Sequence, residues 1–78
     1  MAKYLKFQFL NMSPTGKTKI WEVVTVGDGP VILGSVKWFG KWRKYGFFPE
    51  NDTVFETTCL RDIAEFCEEE TKRHRKTA

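Results

Sequence analysis

Seventy-eight residues leave room for one hydrophobic core, and 41% hydrophobic and 29% charged residues with twelve aromatics exclude a largely disordered chain. The net charge of +3 is unevenly laid out, with +6 over residues 1–49, −7 over residues 50–70 and +4 over residues 71–78. No apolar stretch approaches the roughly 20 residues of a membrane helix, and the N-terminus lacks the long apolar core and cleavage site of a signal peptide, so a cytoplasmic chain without a membrane partner is expected.

In chain order, Tyr4–Leu10 alternates apolar and polar residues with Leu5, Phe7 and Phe9 on one side, a period of two that predicts a strand. Ser13-Pro14-Thr15-Gly16-Lys17 is a turn cluster, and the β-branched stretch Thr18–Val26 is a second strand and hairpin partner of the first. Gly27-Asp28-Gly29-Pro30 breaks the chain; it is too short for a phosphate-binding loop. Val31–Phe39 is a third strand with Gly34 as a bulge or a close approach. Gly40-Lys41-Trp42 is a tight connection, Arg43–Phe48 a fourth strand, and Pro49-Glu50-Asn51-Asp52 ends the sheet.

A helix follows, capped by Thr57 or Thr58, with Leu60, Ile63 and Cys67 on one stripe widened by Cys59 and Phe66. Asp62 near its start and Lys72, Arg73, His74 and Arg75 near its end suit the helix dipole, and Glu68 with Lys72 and Glu69 with Arg73 are i,i+4 pairs. Past Cys67 the apolar stripe stops, which predicts a solvated or frayed end or one that meets a charged partner. The expected fold is α+β: a small antiparallel sheet of about four strands, β-β-β-β-α, with one C-terminal helix on one face, residues 1–70 forming a single domain and residues 71–78 a charged helix end or tail. One helix offers one apolar stripe, so the other sheet face stays uncovered. Some of Tyr4, Trp21, Trp38, Trp42, Tyr45 and Phe48 should then lie on that open face or at its edge.

The two cysteines lie eight residues apart on the helix, a rise of about 12 Å, too far for a disulfide. Cys59, near the helix start, is either a thiol of lowered pKa or a structural one, and the structural role is expected. His74 is the lone histidine and sits in a charged segment, so neither a catalytic triad nor a zinc site is supported, and Glu68–Glu70 scatter around the helix instead of forming a paired acid and base. No enzymatic activity, metal or cofactor is expected.

The densest chemical signal is Lys37–Phe48, KWFGKWRKYGFF, which interleaves aromatics with Lys37, Lys41, Arg43 and Lys44 and holds no acid. Rings stack on bases and cations neutralise phosphates, so Lys37, Trp38, Lys41, Trp42, Arg43, Lys44, Tyr45 and Phe47 are the candidate nucleic-acid-binding residues, single strands being favoured. Against this stands a plain hairpin whose inward rings fill the core and whose outward cations are merely solvated.

Two resemblances attach to these residues. Gly34-Ser35-Val36-Lys37-Trp38-Phe39, then Tyr45-Gly46-Phe47-Phe48, then Val54-Phe55, is similar to the opening of the cold-shock domain. That likeness implies a five-stranded barrel stacking single-stranded nucleic acid on Lys37, Trp38, Phe47 and Phe55. The chain departs from it in having two strands before the match, Glu56 in place of a histidine, and a helix in place of the last strands. The wider pattern W-E-V…L-G-x-V-K-W-F-G-x-W-R-x-Y-x-F-F-P…F…C-L-x-D-I-x-x-F, over about Ile20–Glu70, resembles short uncharacterised bacterial and bacteriophage proteins. This implies a phage or mobile-element origin and residence in a bacterial host cell, and it supplies no activity.

The expectation is a small nucleic-acid-binding module using the basic and aromatic hairpin, with the Lys72–Lys76 segment as an auxiliary contact. The alternative is a protein-interaction module, a phage-encoded inhibitor or adaptor or a homodimer, using the same face, because exposed Trp, Tyr and Arg also dominate protein interfaces.

Overall fold

The computed structural model describes residues 4–27 and 29–77; Asp28, within the predicted Gly27–Pro30 break, lies outside them. Among the described residues the strands are β1 (Leu5–Met12), β2 (Lys19–Thr25), β3 (Ile32–Phe39) and β4 (Lys44–Pro49), followed by the helix α1 (Thr57–Thr77). They form one antiparallel sheet in the order β1-β2-β3-β4, a meander with α1 across one face, so the expected α+β architecture is the observed one. The sheet is open, and the five-stranded barrel implied by the cold-shock likeness is absent because the chain turns into a helix after its fourth strand.

The register sorts side chains by parity. Phe7 lies opposite Val23, Trp21 opposite Val36, and Val36 opposite Phe47, which places these residues on the helix-covered face. Val23 and Val36 are fully buried at the centre of the sheet, with Leu5, Trp21, Tyr45 and Ile63 around them. Gly34 faces them without a side chain, and a Cβ there would stand 2.5 Å from the Phe48 carbonyl oxygen and 2.8 Å from the Phe47 ring. The close approach read from the sequence is therefore real.

Aromatic rings knit the helix to the sheet. Phe7 stacks on Phe66 at 4.0 Å between centroids, Trp21 meets Phe66 edge-on at 5.0 Å and Tyr45 at 5.3 Å, and Trp38 lies between Tyr45 (5.3 Å) and His74 (4.6 Å). Such pairs contribute about 0.5–1.5 kcal/mol each beyond simple burial, a large share of what holds a 21-residue helix that is otherwise rich in charge.

Several local expectations shift. Arg43 is not in β4 but closes the turn with φ 53°, and the helix cap is Glu56, whose Oε1 accepts the Cys59 N–H at 2.7 Å, rather than Thr57 or Thr58. Backbone hydrogen bonds from Thr58 and Cys59 hold the Glu56 carboxyl below its ordinary pKa. Leu60, expected on the buried stripe, is 51% exposed. The stripe instead runs Cys59, Ile63, Phe66, Cys67, Glu70, Thr71 and His74, changing from apolar to polar but staying packed. Thr71 Oγ1 donates to the Cys67 carbonyl (2.7 Å) and accepts the Tyr45 N–H (3.0 Å), so the helix end caps the outer edge of β4. Residues 71–77 thus continue the helix, with Thr71 and His74 packed against β3 and β4 while Lys72, Arg73, Arg75 and Lys76 stay exposed. Arg73 pairs with Glu70 at 3.1 Å.

Candidate nucleic-acid interface

Alternation along two paired strands splits Lys37–Phe48 between opposite faces. Trp38, Tyr45 and Phe47 point beneath the helix. Tyr45 is 5% exposed, and its hydroxyl accepts the Lys19 N–H at 3.2 Å. Phe47 meets Phe55 edge-on at 5.2 Å, and Trp38 is half-buried against His74. Their rings pack inward, which corrects the expectation that they form the stacking surface; the three ring positions carried over from the cold-shock domain, Trp38, Phe47 and Phe55, all belong to the helix side.

The open face keeps Lys37, Phe39 and Phe48, and the turn above it carries Trp42. Phe39 lies 4.8 Å from Trp42 and 6.2 Å from Phe48, while the Lys37 ammonium sits 4.6 Å over the Phe48 ring. Gly46, paired opposite Lys37, brings no side chain to that space. Trp42 is 67% exposed. The turn that raises it is closed by Trp42 N–H to the Phe39 carbonyl (3.2 Å) and Arg43 N–H to the Gly40 carbonyl (3.3 Å), and Arg75 Nη2 donates to the Arg43 carbonyl at 3.1 Å. The helix end therefore braces the turn. Phe39 and Phe48 were not among the candidate residues, although alternation along β3 puts Phe39 on the side of Lys37, and pairing with Ser35 brings Phe48 to the same face.

The topology also gathers charge. In a meander the β1–β2 and β3–β4 turns lie at the same end, and a helix that starts beyond β4 returns to that end: its 21 residues rise about 31 Å, close to the 36 Å long axis of the domain. Lys17 and Lys19 from the first hairpin, Lys41, Arg43 and Lys44 from the second, and Lys72, Arg73, Arg75 and Lys76 from α1 converge there. Glu50, Asp52, Glu56 and Asp62 lie toward the opposite end, around the start of the helix. Such a separation attracts a polyanion to the basic end. Lys41, Arg43, Lys44 and the helix cations were legible in sequence; Lys17 and Lys19 needed the turn geometry.

Among the described residues no group of three or more His, Cys, Asp or Glu is placed to hold a metal ion, and no helix is long and apolar enough to cross a membrane. Both cysteines are free. Burial, and secondarily Glu56, pushes the Cys59 thiol above its ordinary pKa, and burial pushes Cys67 up to about 11, so neither is an activated thiolate.

Over 60 residues, 76% of this chain and 76% of the relative, the sequence is 32% identical to an uncharacterised 9.3 kDa protein of Acholeplasma phage L2. The chain belongs to the family of that phage protein. At that length any placement of the alignment takes in β3 and β4. No protein-family model matches the chain, and no solved structure matches it.

Proposed function

We propose that this protein is a phage-derived, non-enzymatic, cytoplasmic module that binds single-stranded nucleic acid, stacking a base on Trp42 beside Phe39 and Phe48 and neutralising phosphates with Lys37, Lys41, Arg43 and Lys44 and the end of α1. The observation that carries this reading is the juxtaposition of one highly exposed tryptophan with cations from three chain-remote segments. Stacking is sequence-tolerant and worth about 1–3 kcal/mol per base, so a general rather than sequence-specific binder follows. The origin rests on family membership.

The test is anisotropy of a labelled single strand and a labelled duplex at low and physiological salt. Single-strand binding that weakens with salt, and that Trp42→Ala weakens by roughly 1–3 kcal/mol, is the expected result; no binding to either at low salt rejects the reading. Arg43→Gly is a second probe. It removes a cation while supplying the residue best suited to a positive φ, so it should flatten the salt dependence without lowering thermal stability.

A second reading, a protein-interaction module or homodimer, is favoured by the β1 edge, where Phe9, Leu10 and Met12 are exposed on a strand with one free side. Sedimentation velocity separates the two: a dimer insensitive to salt supports the second, a monomer that shifts only on adding oligonucleotide supports the first.

A further inference from the structure

Between the β1–β2 hairpin and the last turns of α1 lies a concavity of about 350 Å³ that the hairpin reading leaves unused. Tyr45 forms part of its floor, Lys17 and Lys19 border it from the hairpin, and Arg73 and Lys76 border it from the helix. Glu70 is the carboxylate among its described lining residues, and Arg73 holds it at 3.1 Å, so the lysines face an anion-deficient groove. His74 lines this groove and also the neighbouring one beside Gly40, Arg43 and Arg75 at the foot of the Trp42 turn. The two grooves share His74 as a lining residue and so adjoin at the helix end, where a strand passing from one to the other would follow one bent track.

We propose that the Lys17–Lys19–Lys76 groove is a second phosphodiester subsite for the same strand whose base stacks at Trp42. The inference rests on the nucleic-acid reading and extends it by naming the path of the backbone. A diester carries one negative charge per phosphate, which lysines in an open groove answer without a metal. The bend of the track around the helix end selects a single strand, since a duplex with a persistence length of about 50 nm resists such curvature over a domain this small.

Salt titrations of a labelled thymidine strand of about 12 nucleotides test this with Lys17→Glu, Lys76→Glu and, as a charge-matched control away from the groove, Lys6→Glu. All three side chains are exposed, and a thermal melt checks folding. The expected result is a slope of log affinity against log salt shallower by about 0.7–1 for Lys17→Glu and for Lys76→Glu, unchanged for Lys6→Glu. A labelled nucleoside, which offers a base and no phosphate, should bind both groove variants as it binds the wild type. If the wild type binds the long strand and Trp42→Ala weakens it, but the groove variants keep the wild-type slope or match Lys6→Glu, the subsite is wrong and the stacking site stands. If the wild type binds no strand at low salt, the nucleic-acid reading fails and takes the subsite with it.

Discussion

Gly34 shows how one position sets sheet geometry. Its missing Cβ lets the Phe48 backbone and the Phe47 ring close over β3, and the added carbon in Gly34→Ala meets a carbonyl oxygen that cannot rotate away. Overpacking of this kind costs about 1–3 kcal/mol, and a domain this size should lose about 4–8 °C in melting temperature per kcal/mol. Gly46 makes the contrast, for a Cβ there meets the nearest atom at an ordinary 3.9 Å, so Gly46→Ala should melt closer to the wild type. Cys67 gives a pH prediction. Its thiol is raised to about 11 against an ordinary value of 9.0, so the unfolded chain ionises it first. The stability it contributes is complete below pH 9 and is lost as pH climbs from 9 toward 11. Thermal melts across that window should fall less steeply for Cys67→Ala than for the wild type, and alkylation of Cys67 at neutral pH should be slow.

Among elements, α1 is the one whose behaviour departs furthest from its pattern. Hydrophobic periodicity ends at Cys67, yet the helix stays docked because Thr71 supplies a hydroxyl to an unpaired edge N–H and His74 supplies a ring to Trp38. Thr71→Val keeps the shape and removes the acceptor, leaving the Tyr45 amide unsatisfied. The expected cost is about 1–3 kcal/mol, with faster hydrogen exchange at Tyr45 and a loosened β3–β4 turn; exchange measured by NMR checks both. The sheet itself was legible, since alternation, turn residues and the Gly34 contact all survive, with strand ends moved by a residue or two. The helix cap was not. Glu56 is a poor cap by residue type, and it serves because its carboxylate turns back to the Cys59 N–H, a local geometry that competes on equal terms with the threonines beside it.

For the molecule as a whole, the consequence is charge convergence. Cations that are neutral in effect when spread along a chain repel one another when three segments bring them to one end. Lys17→Gln should therefore raise the melting temperature at low salt and have no effect at about 1 M salt, where the screening length is about 3 Å; melts at the two salt concentrations decide it. The sequence by itself determined the element order and the open face, because strand and helix periods and turn chemistry are local properties. It could not determine which rings of that run were core. That choice depends on which sheet face the helix covers, and parity alone is silent on it. Tertiary structure put Trp38, Tyr45 and Phe47 under α1, left Trp42 above Phe39 and Phe48, and joined Lys17 and Lys19 to the helix end. Those contacts are between residues far apart in the chain, fixed by the return path of α1 and by the rings that hold it down.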